Sequence, residues 1–510
     1  MTKPRTEPAH PIVLDRRDWI LLGTLGLIGL AIRIALWSTQ SIPSVDGTAY
    51  IRMAQQLAGG PRIDSVHQYG YPLLVWMTHF AIPDWVTAAR LVALVAGVLF
   101  LPISGWMSAP LIQGRRLWLI PVAALAVTPL AIRYSLTTMT DMPFLALFFL
   151  AIGLSLRRRW LAAGLLFGAS YVIRPEGLLG VVIVAMLQGR RPSAVVRLLA
   201  GAALVVAPYV VAVGLADGKW TLSPKSLNIA AGSWTAAEAQ AGGDVVGHSV
   251  SERLAAFGGE TVQRYPERAG EVLRELANQS GYLPLLLGPF GLAGPALLLL
   301  AGLAQIVFLP LTFIGARVRY LFPFLPILWI LSLVTIERIR RPVARLALTV
   351  LLVGSIAFGA WTSRDLYTMN EDGYFPELVA AGKWLEDICT PATIVYDRKP
   401  YTAFYAGAIG RFTPAGSYDA ILNEIVAKRG DFLVINDWVT DRFRPELSPL
   451  ARDATLVAAE PRLRPIYFEQ SKRGMRTLIF RVLRPGGPPP APGEDEFRQA
   501  VLGVLSKPAQ

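Results

Sequence analysis

Between Trp19 and Trp37 the chain is apolar at almost every position, with Arg33 the one charged residue. A run of that length can cross the ~30 Å hydrocarbon core of a bilayer as a helix. Inside lipid every backbone N–H and C=O must be satisfied within the protein, which leaves only helices and closed barrels. Comparable runs recur near 86–108, 117–133, 141–156, 161–173, 177–188, 198–216, 320–337 and 345–362. The region 283–316 is too long for one span and has no internal basic loop, so it reads as two short spans. About eleven transmembrane helices follow. The first run is too long for a cleaved signal peptide and lacks a small-residue cleavage site, so it reads as a retained anchor. Hydrophobic residues make up 53% of the 510 and charged residues 17%, well below the roughly 25% charged of soluble domains. The fold class is a polytopic α-helical membrane protein.

The net charge of +13 does not point to nucleic acid, because its distribution is that of a membrane protein. Basic clusters at Arg16–Arg17, Arg115–Arg116, Arg157–Arg159, Arg190–Arg191 and Arg338–Arg341 punctuate alternate turns between apolar runs. Such clusters stay in the cytoplasm beside anionic lipid. The N-terminus is then cytoplasmic and the outer side carries loop 38–85, the turns 134–140 and 174–177, the polar segment 217–282, and everything after 362. The single Cys389 excludes an intrachain disulfide and a thiolate zinc site.

After about 363 the composition changes. IVYD (394–397) and DFLVIND (431–437) read as buried strands, and AAGKWLEDI (380–388) and YDAILNEIVAKRG (418–430) have helical spacing, the second ending at a Gly cap. Alternating strand and helix predict a small α/β domain over 363–484. It has no glycine-rich phosphate loop. The remainder, 485–510, opens as RPGGPPPAPGEDE and reads as a Pro/Gly-rich disordered tail.

Ionisable groups at membrane depth are expensive and mark function. The outer side collects several: Asp46 with Tyr50 in the first loop, Asp141 in TTMTDMPF, Arg174 and Glu176 in RPEG, Lys225 in SPKS, and Arg319 with Tyr320 in RYLFPFLP. Their common depth is the signal. Each also has a structural reading. Asp46 fits an N-cap for a helix beginning near Thr48, and Asp141 an N-cap followed by an early proline. Arg174 and Glu176 fit a pair across a tight turn, and Arg319 an interface anchor. His67 and His79 lack a spaced partner motif for a metal, so a divalent ion has no clear ligand set. Tyr69, Tyr71 and Trp76 fit interfacial anchors or a sugar-stacking surface.

In series, DGTAYIRMAQQLAGG with HQYGYPLLVWM, then TDMPFLALFF, RPEG and RYLFPFLP, resemble the GT-C-fold polyprenyl-phosphate-dependent glycosyltransferases. That broad group, glycosyltransferase family 39-like, contains protein O-mannosyltransferases and the lipid A aminoarabinose transferase. The resemblance covers about 1–340. It implies a bacterial plasma-membrane enzyme that moves a sugar from a polyprenyl-phosphate donor to a glycan, lipid or protein acceptor. It maps the first-loop acidic residue onto Asp46 as base. Arg174, Arg319 and Lys225 then fall as phosphate binders, with Asp141 and Glu176 orienting sugar or acceptor or supporting the cations. Tyr50, Tyr71, His67 and Tyr320 line the site. Two departures stand out: Gly47 occupies the place of a second acidic residue in many relatives, and Gly70, Tyr71, Pro72 that of Lys-Pro-Pro. Sugar and acceptor therefore do not carry over. A lipid or solute transporter, a flippase, or a surface-glycan polymerase or ligase are the alternatives. The chain shows no paired halves of the kind many transporters have.

Overall fold

The computed structural model describes residues 14–60, 67–112, 116–218, 220, 222, 250–303, 318–367, 375–471, 474–484 and 493–506. The chain divides into two compact units, with the boundary between Glu371 and Asp372.

The first unit is helical. Five of its helices are long and apolar enough to cross a membrane: Arg16–Ala35, Trp85–Ser108, Pro192–Ala216, Arg319–Glu337 and Pro342–Thr362. A sixth span arises if the pair Leu119–Val127 and Pro129–Leu136, bent by 61°, is taken as one. Asp141–Leu156, Trp160–Ile173, Gly177–Leu187 and Tyr282–Gly291 are apolar but shorter. This is an integral membrane architecture. The expected eleven spans are thus not reached among the described residues, and 304–317 lies outside them. Burial sorts the helices into centre and rim. The span Arg319–Glu337 is 83% buried, whereas Pro342–Thr362 is 17% and Pro192–Ala216 22% buried. The rim helices turn Leu204, Val350 and Leu346 outward, as lipid contact requires.

Charged side chains close helix ends. The break before Pro129 follows from the missing proline N–H and its clash with the preceding turn. It frees the carbonyls of Leu125 and Ala126. The fully buried Arg33 donates Nη2 to Leu125 O at 3.3 Å, and Nη1 to Ala126 O at 3.3 Å and Gly29 O at 2.9 Å. Arg157, in one of the basic clusters, donates to Gly153 O and Trp106 O at 3.0 and 2.7 Å. Arg116, in another, pairs with Asp18 at 2.6 Å and Asp15 at 3.3 Å at the start of the first helix.

Segment 38–85, read as a loop, is largely helical among its described residues. It folds as two helices, Val45–Leu57 and Gly70–His79. The polar segment 217–282 is also partly helical, with a 31-residue helix over Val250–Ser280. In its last part Val272, Leu276 and Ala277 are buried while Glu271 and Arg274 are exposed, an amphipathic pattern that a reading for membrane spans passes over. Lys225 lies outside the described residues.

The second unit is the expected α/β domain. Five strands, β1 (Ile394–Asp397), β2 (Ile409–Phe412), β3 (Phe432–Asn436), β4 (Leu463–Gln470) and β5 (Arg476–Val482), form a sheet in the order β2-β1-β3-β5-β4. β1 is parallel to β2 and β3, and β5 is antiparallel to β3 and β4. Its core joins Tyr396, Leu433, Ile435, Leu478 and Phe480 of the sheet to Ile421, Leu422 and Ile425 of the helix Tyr418–Ala427. Two expectations are corrected. That helix ends not on Gly430 but on Lys428, with Arg429 in the left-handed conformation (φ 57°). And 494–505, expected as disordered tail, is a helix, Glu494–Leu505. Val501 and Leu505 enter the sheet core, and Glu494 pairs with Arg481 at 2.6 Å.

Candidate active site

Ser44 sets the geometry of the helix Val45–Leu57. Its side chain caps the helix that begins at Val45, accepting from the Gly47 N–H at 2.9 Å. The cap expected of Asp46 is therefore supplied two residues earlier. Asp46 sits in the first turn, where the helix dipole favours a negative charge, with its carboxylate available for other partners. The Ser44 N–H donates to Thr138 Oγ1 at 3.1 Å and Ser44 Oγ to Thr138 O at 3.4 Å. This strut fixes Asp46 against the segment just before Asp141.

Asp141 is likewise not a cap. The cap residue of its helix is Thr140, and Asp141 is the first helical residue. Its side chain is 2% exposed. Arg174, where the helix Trp160–Ile173 ends, donates Nη1 to Asp141 Oδ1 at 2.6 Å. The same guanidinium reaches Glu176 Oε1 through Nη2 at 2.8 Å and Nε at 3.3 Å. The pair expected across the RPEG turn thus exists, and Asp141 joins it. Arg319, 7% exposed, donates Nη1 to Asp46 Oδ2 at 2.9 Å and places Nε 3.3 Å from Asp141 Oδ2. It is a buried member of the cluster and not an interface anchor. The result is a chain of alternating charge, Asp46–Arg319–Asp141–Arg174–Glu176, drawn from four distant stretches of sequence. Three carboxylates face two guanidiniums. Asp141 is shared by both cations and is nearly closed to solvent, while the Asp46 and Glu176 side chains are each 32% exposed.

Aromatic and polar groups border Asp46. His67 Nε2 lies 3.9 Å from Asp46 Oδ1. The His67 and Tyr71 rings stand 4.6 and 5.3 Å from that of Tyr50. Tyr71 is fully buried and donates its hydroxyl to Ala89 O at 2.8 Å. It is a wall residue and not a sugar platform. Tyr320 follows Arg319, whose guanidinium carbon is 5.4 Å from the Tyr320 ring. His79 stacks on Trp85 at 3.6 Å, away from this cluster's ion pairs. Among the described residues no group of three or more His, Cys, Asp or Glu is placed to hold a metal.

Both departures from the sequence pattern fall where the backbone passes too close to a neighbouring segment for a side chain. A Cβ on Gly47 would lie 1.8 Å from Thr138 Oγ1, and one on Gly70 2.5 Å from Val172 O. Sequence reasoning missed Ser44, Thr138, and the Gln68–Tyr209 side-chain hydrogen bond beside Tyr69. Ser44 carried a signal: a serine three residues before Gly47 at the head of an amphipathic run is an N-cap pattern. Thr138 and Tyr209 carried none, because contact between remote segments is not encoded locally.

The fold is a helical membrane unit that carries a partly buried chain of five charged side chains, followed by a small α/β unit. No family model matches the chain, and no curated protein matches it. Among solved structures, ArnT from Cupriavidus metallidurans bound to undecaprenyl phosphate aligns at TM-score 0.52 and 14% identity, covering 93% of this chain and 100% of that one. The same protein in the apo state aligns at TM-score 0.51 and 12% identity, over 91% and 98%. The likeness thus spans both units.

Proposed function

We propose that the chain is a membrane glycosyltransferase, moving a sugar from a polyprenyl-phosphate donor to a hydroxyl or amine of a glycan, lipid or protein acceptor. The observation that carries the reading is the placement of Asp46: tethered to Arg319 at 2.9 Å, yet with 32% of its side chain open. An acceptor hydroxyl attacks the anomeric carbon of the sugar. The bond from that carbon to the phosphate oxygen breaks, and the polyprenyl phosphate leaves with the electron pair. Asp46 takes the hydroxyl proton and faces the positive charge that builds on the sugar. One displacement inverts the anomeric carbon. The undecaprenyl phosphate held by the ArnT structure supports a lipid phosphate donor here.

The cations divide their work. The Nε, Nη1 and Nη2 of Arg174 all meet carboxylates of the chain, so Arg174 positions Asp141 and Glu176. Arg319, with Tyr320 and Lys225, holds the departing phosphate. Asp141 holds the two guanidiniums side by side, and Glu176 orients sugar or acceptor. The N-terminus is cytoplasmic, the site and the second unit lie outside the plasma membrane of a bacterium, and about eleven spans separate the two sides.

The test is transfer by the purified protein in nanodiscs from a radiolabelled polyprenyl-phosphate sugar to a panel of acceptors. Labelled product of inverted configuration is expected. Movement of the intact lipid across a vesicle bilayer without transfer contradicts the reading and favours a flippase.

A further inference from the structure

At the carboxyl ends of β1, β2 and β3 the second unit gathers rings and cations into one continuous surface. β1 runs on into Arg398 and Lys399, β2 ends on Phe412, and the helix Asp437–Phe443 follows β3. The Arg398 guanidinium carbon lies 5.4 Å from the centre of the Phe412 ring and 4.6 Å from that of Phe443. Lys399 Nζ is 5.9 Å from the Phe443 ring and 5.9 Å from that of Phe375. The Phe375 and Trp438 rings are 5.2 Å apart, and the Arg442 guanidinium carbon stands 5.3 Å from Trp438 and 5.8 Å from Phe443. Each ring thus meets a cation that also meets another ring of the group, or meets that ring itself. Phe412 is 50% and Trp438 41% exposed. Arg442 is exposed as well, and Arg398, Lys399 and Phe443 are half-buried.

The acids beside this surface are already answered. Asp437 accepts from Arg476 Nε at 3.0 Å, and Asp441 pairs with Arg452. Among the described residues neither Arg398 nor Arg442 forms an ion pair, so their charge is not neutralised within the unit. Exposed aromatic rings beside arginine and lysine are the composition of a membrane–water interface. There the ring enters the headgroup layer and the cation meets lipid phosphate, bidentately in the case of arginine. The chain also brings such a surface within reach. The twelve residues 363–374 separate Phe375 from Thr362, the end of the span Pro342–Thr362. A tether of that length reaches at most ~45 Å.

We propose that this surface of the α/β unit docks on the headgroup layer of an anionic phospholipid bilayer. Trp438 and Phe412 enter the headgroup layer, and Arg398 and Arg442 pair with lipid phosphates. The inference rests on the chain being a membrane protein and is independent of the chemistry assigned to the membrane site.

The test is hydrogen exchange of the full-length protein in nanodiscs of phosphatidylcholine alone or of equal parts phosphatidylcholine and phosphatidylglycerol. In the anionic nanodiscs the amides of 409–413 and 437–443 should exchange roughly fivefold more slowly than in the neutral ones. Near-molar salt should remove that difference in the wild type, because it screens the charges. Arg398→Gln with Arg442→Gln should remove it as well, while the β5 amides keep their wild-type exchange and so report an intact fold. Lys428→Gln with Arg429→Gln takes the same charge from the other end of β3 and should leave the difference in place. The proposal is overturned by equal exchange in the two lipids, which is also the result if another protein segment covers the patch. It is equally overturned by a difference that survives both high salt and the Arg398/Arg442 double variant, or by one that the Lys428/Arg429 double variant also abolishes.

Discussion

Asp46 and Gly47 are neighbours with opposite demands. Asp46 needs an open carboxylate on a rigid support, and Gly47 supplies the support by having no side chain. A Cβ there would lie 1.8 Å from Thr138 Oγ1, which a χ1 rotation can move, and 2.8 Å from Thr138 Cβ, which it cannot, so the helix start must move. Overpacking of this kind costs typically ~1–3 kcal/mol. Gly47→Ala is therefore expected to lower the melting temperature, and Gly47→Ala with Thr138→Gly to recover part of the loss. A wild-type melting temperature for Gly47→Ala alone contradicts the close contact. The ionisable members of the site were legible in the sequence, since charge at membrane depth needs a reason whatever the fold. Their pairing was not. Arg174 was readable as a partner for Glu176 because only Pro175 lies between them. Its bond to Asp141 and that of Arg319 to Asp46 depend on which helices are neighbours, and so did the fate of Tyr71, whose hydroxyl is spent on Ala89 O.

At the scale of elements, hydrophobic runs marked the helices well where helices are long. The apolar run 117–133 was readable as a span, but its break at Thr128–Pro129 matters more than its length, because the following segment presents Thr138 to Ser44. Arg33 stabilises that break by answering the carbonyls of Leu125 and Ala126. Arg33→Leu keeps bulk and hydrophobicity but leaves buried carbonyls without a donor, a cost of about 1–3 kcal/mol for each unsatisfied group. The variant is expected to unfold at lower temperature in detergent and to exchange the amides around 125–130 faster. Unchanged exchange there contradicts the role of Arg33. The helix Glu494–Leu505 was missed because proline and glycine just before it dominate the local composition. Its own residues Phe497, Val501 and Leu505 repeat every four positions, the spacing of one helical face. The cap of Val45–Leu57 was missed by two residues for a related reason: Ser44 and Asp46 are both good caps, and only packing against Thr138 selects Ser44.

The whole molecule joins a helical unit to an α/β unit, and the composition of the sequence changes after about 363. The second unit carries its own titration signature. Burial pushes the Asp397 carboxyl up to about 6 from an ordinary value near 3.8. The folded state then holds this proton more tightly than the unfolded chain, so its contribution to stability is full below pH 4, falls between about 4 and 6, and is flat above. A shift of about two units corresponds to at most ~3 kcal/mol. Hydrogen exchange of the β1 and β3 amides, corrected for intrinsic rates, should show protection falling across that range. Asp397→Asn should remove the fall, and an identical pH dependence in the variant contradicts the assignment. The central claim concerns the membrane unit, and a single-turnover measurement with donor already bound tests it most directly. Asp46→Asn keeps the size of the side chain and removes the base. The account predicts normal donor affinity with transfer slowed on the order of 10²–10⁴-fold. Transfer at the wild-type rate by Asp46→Asn contradicts it.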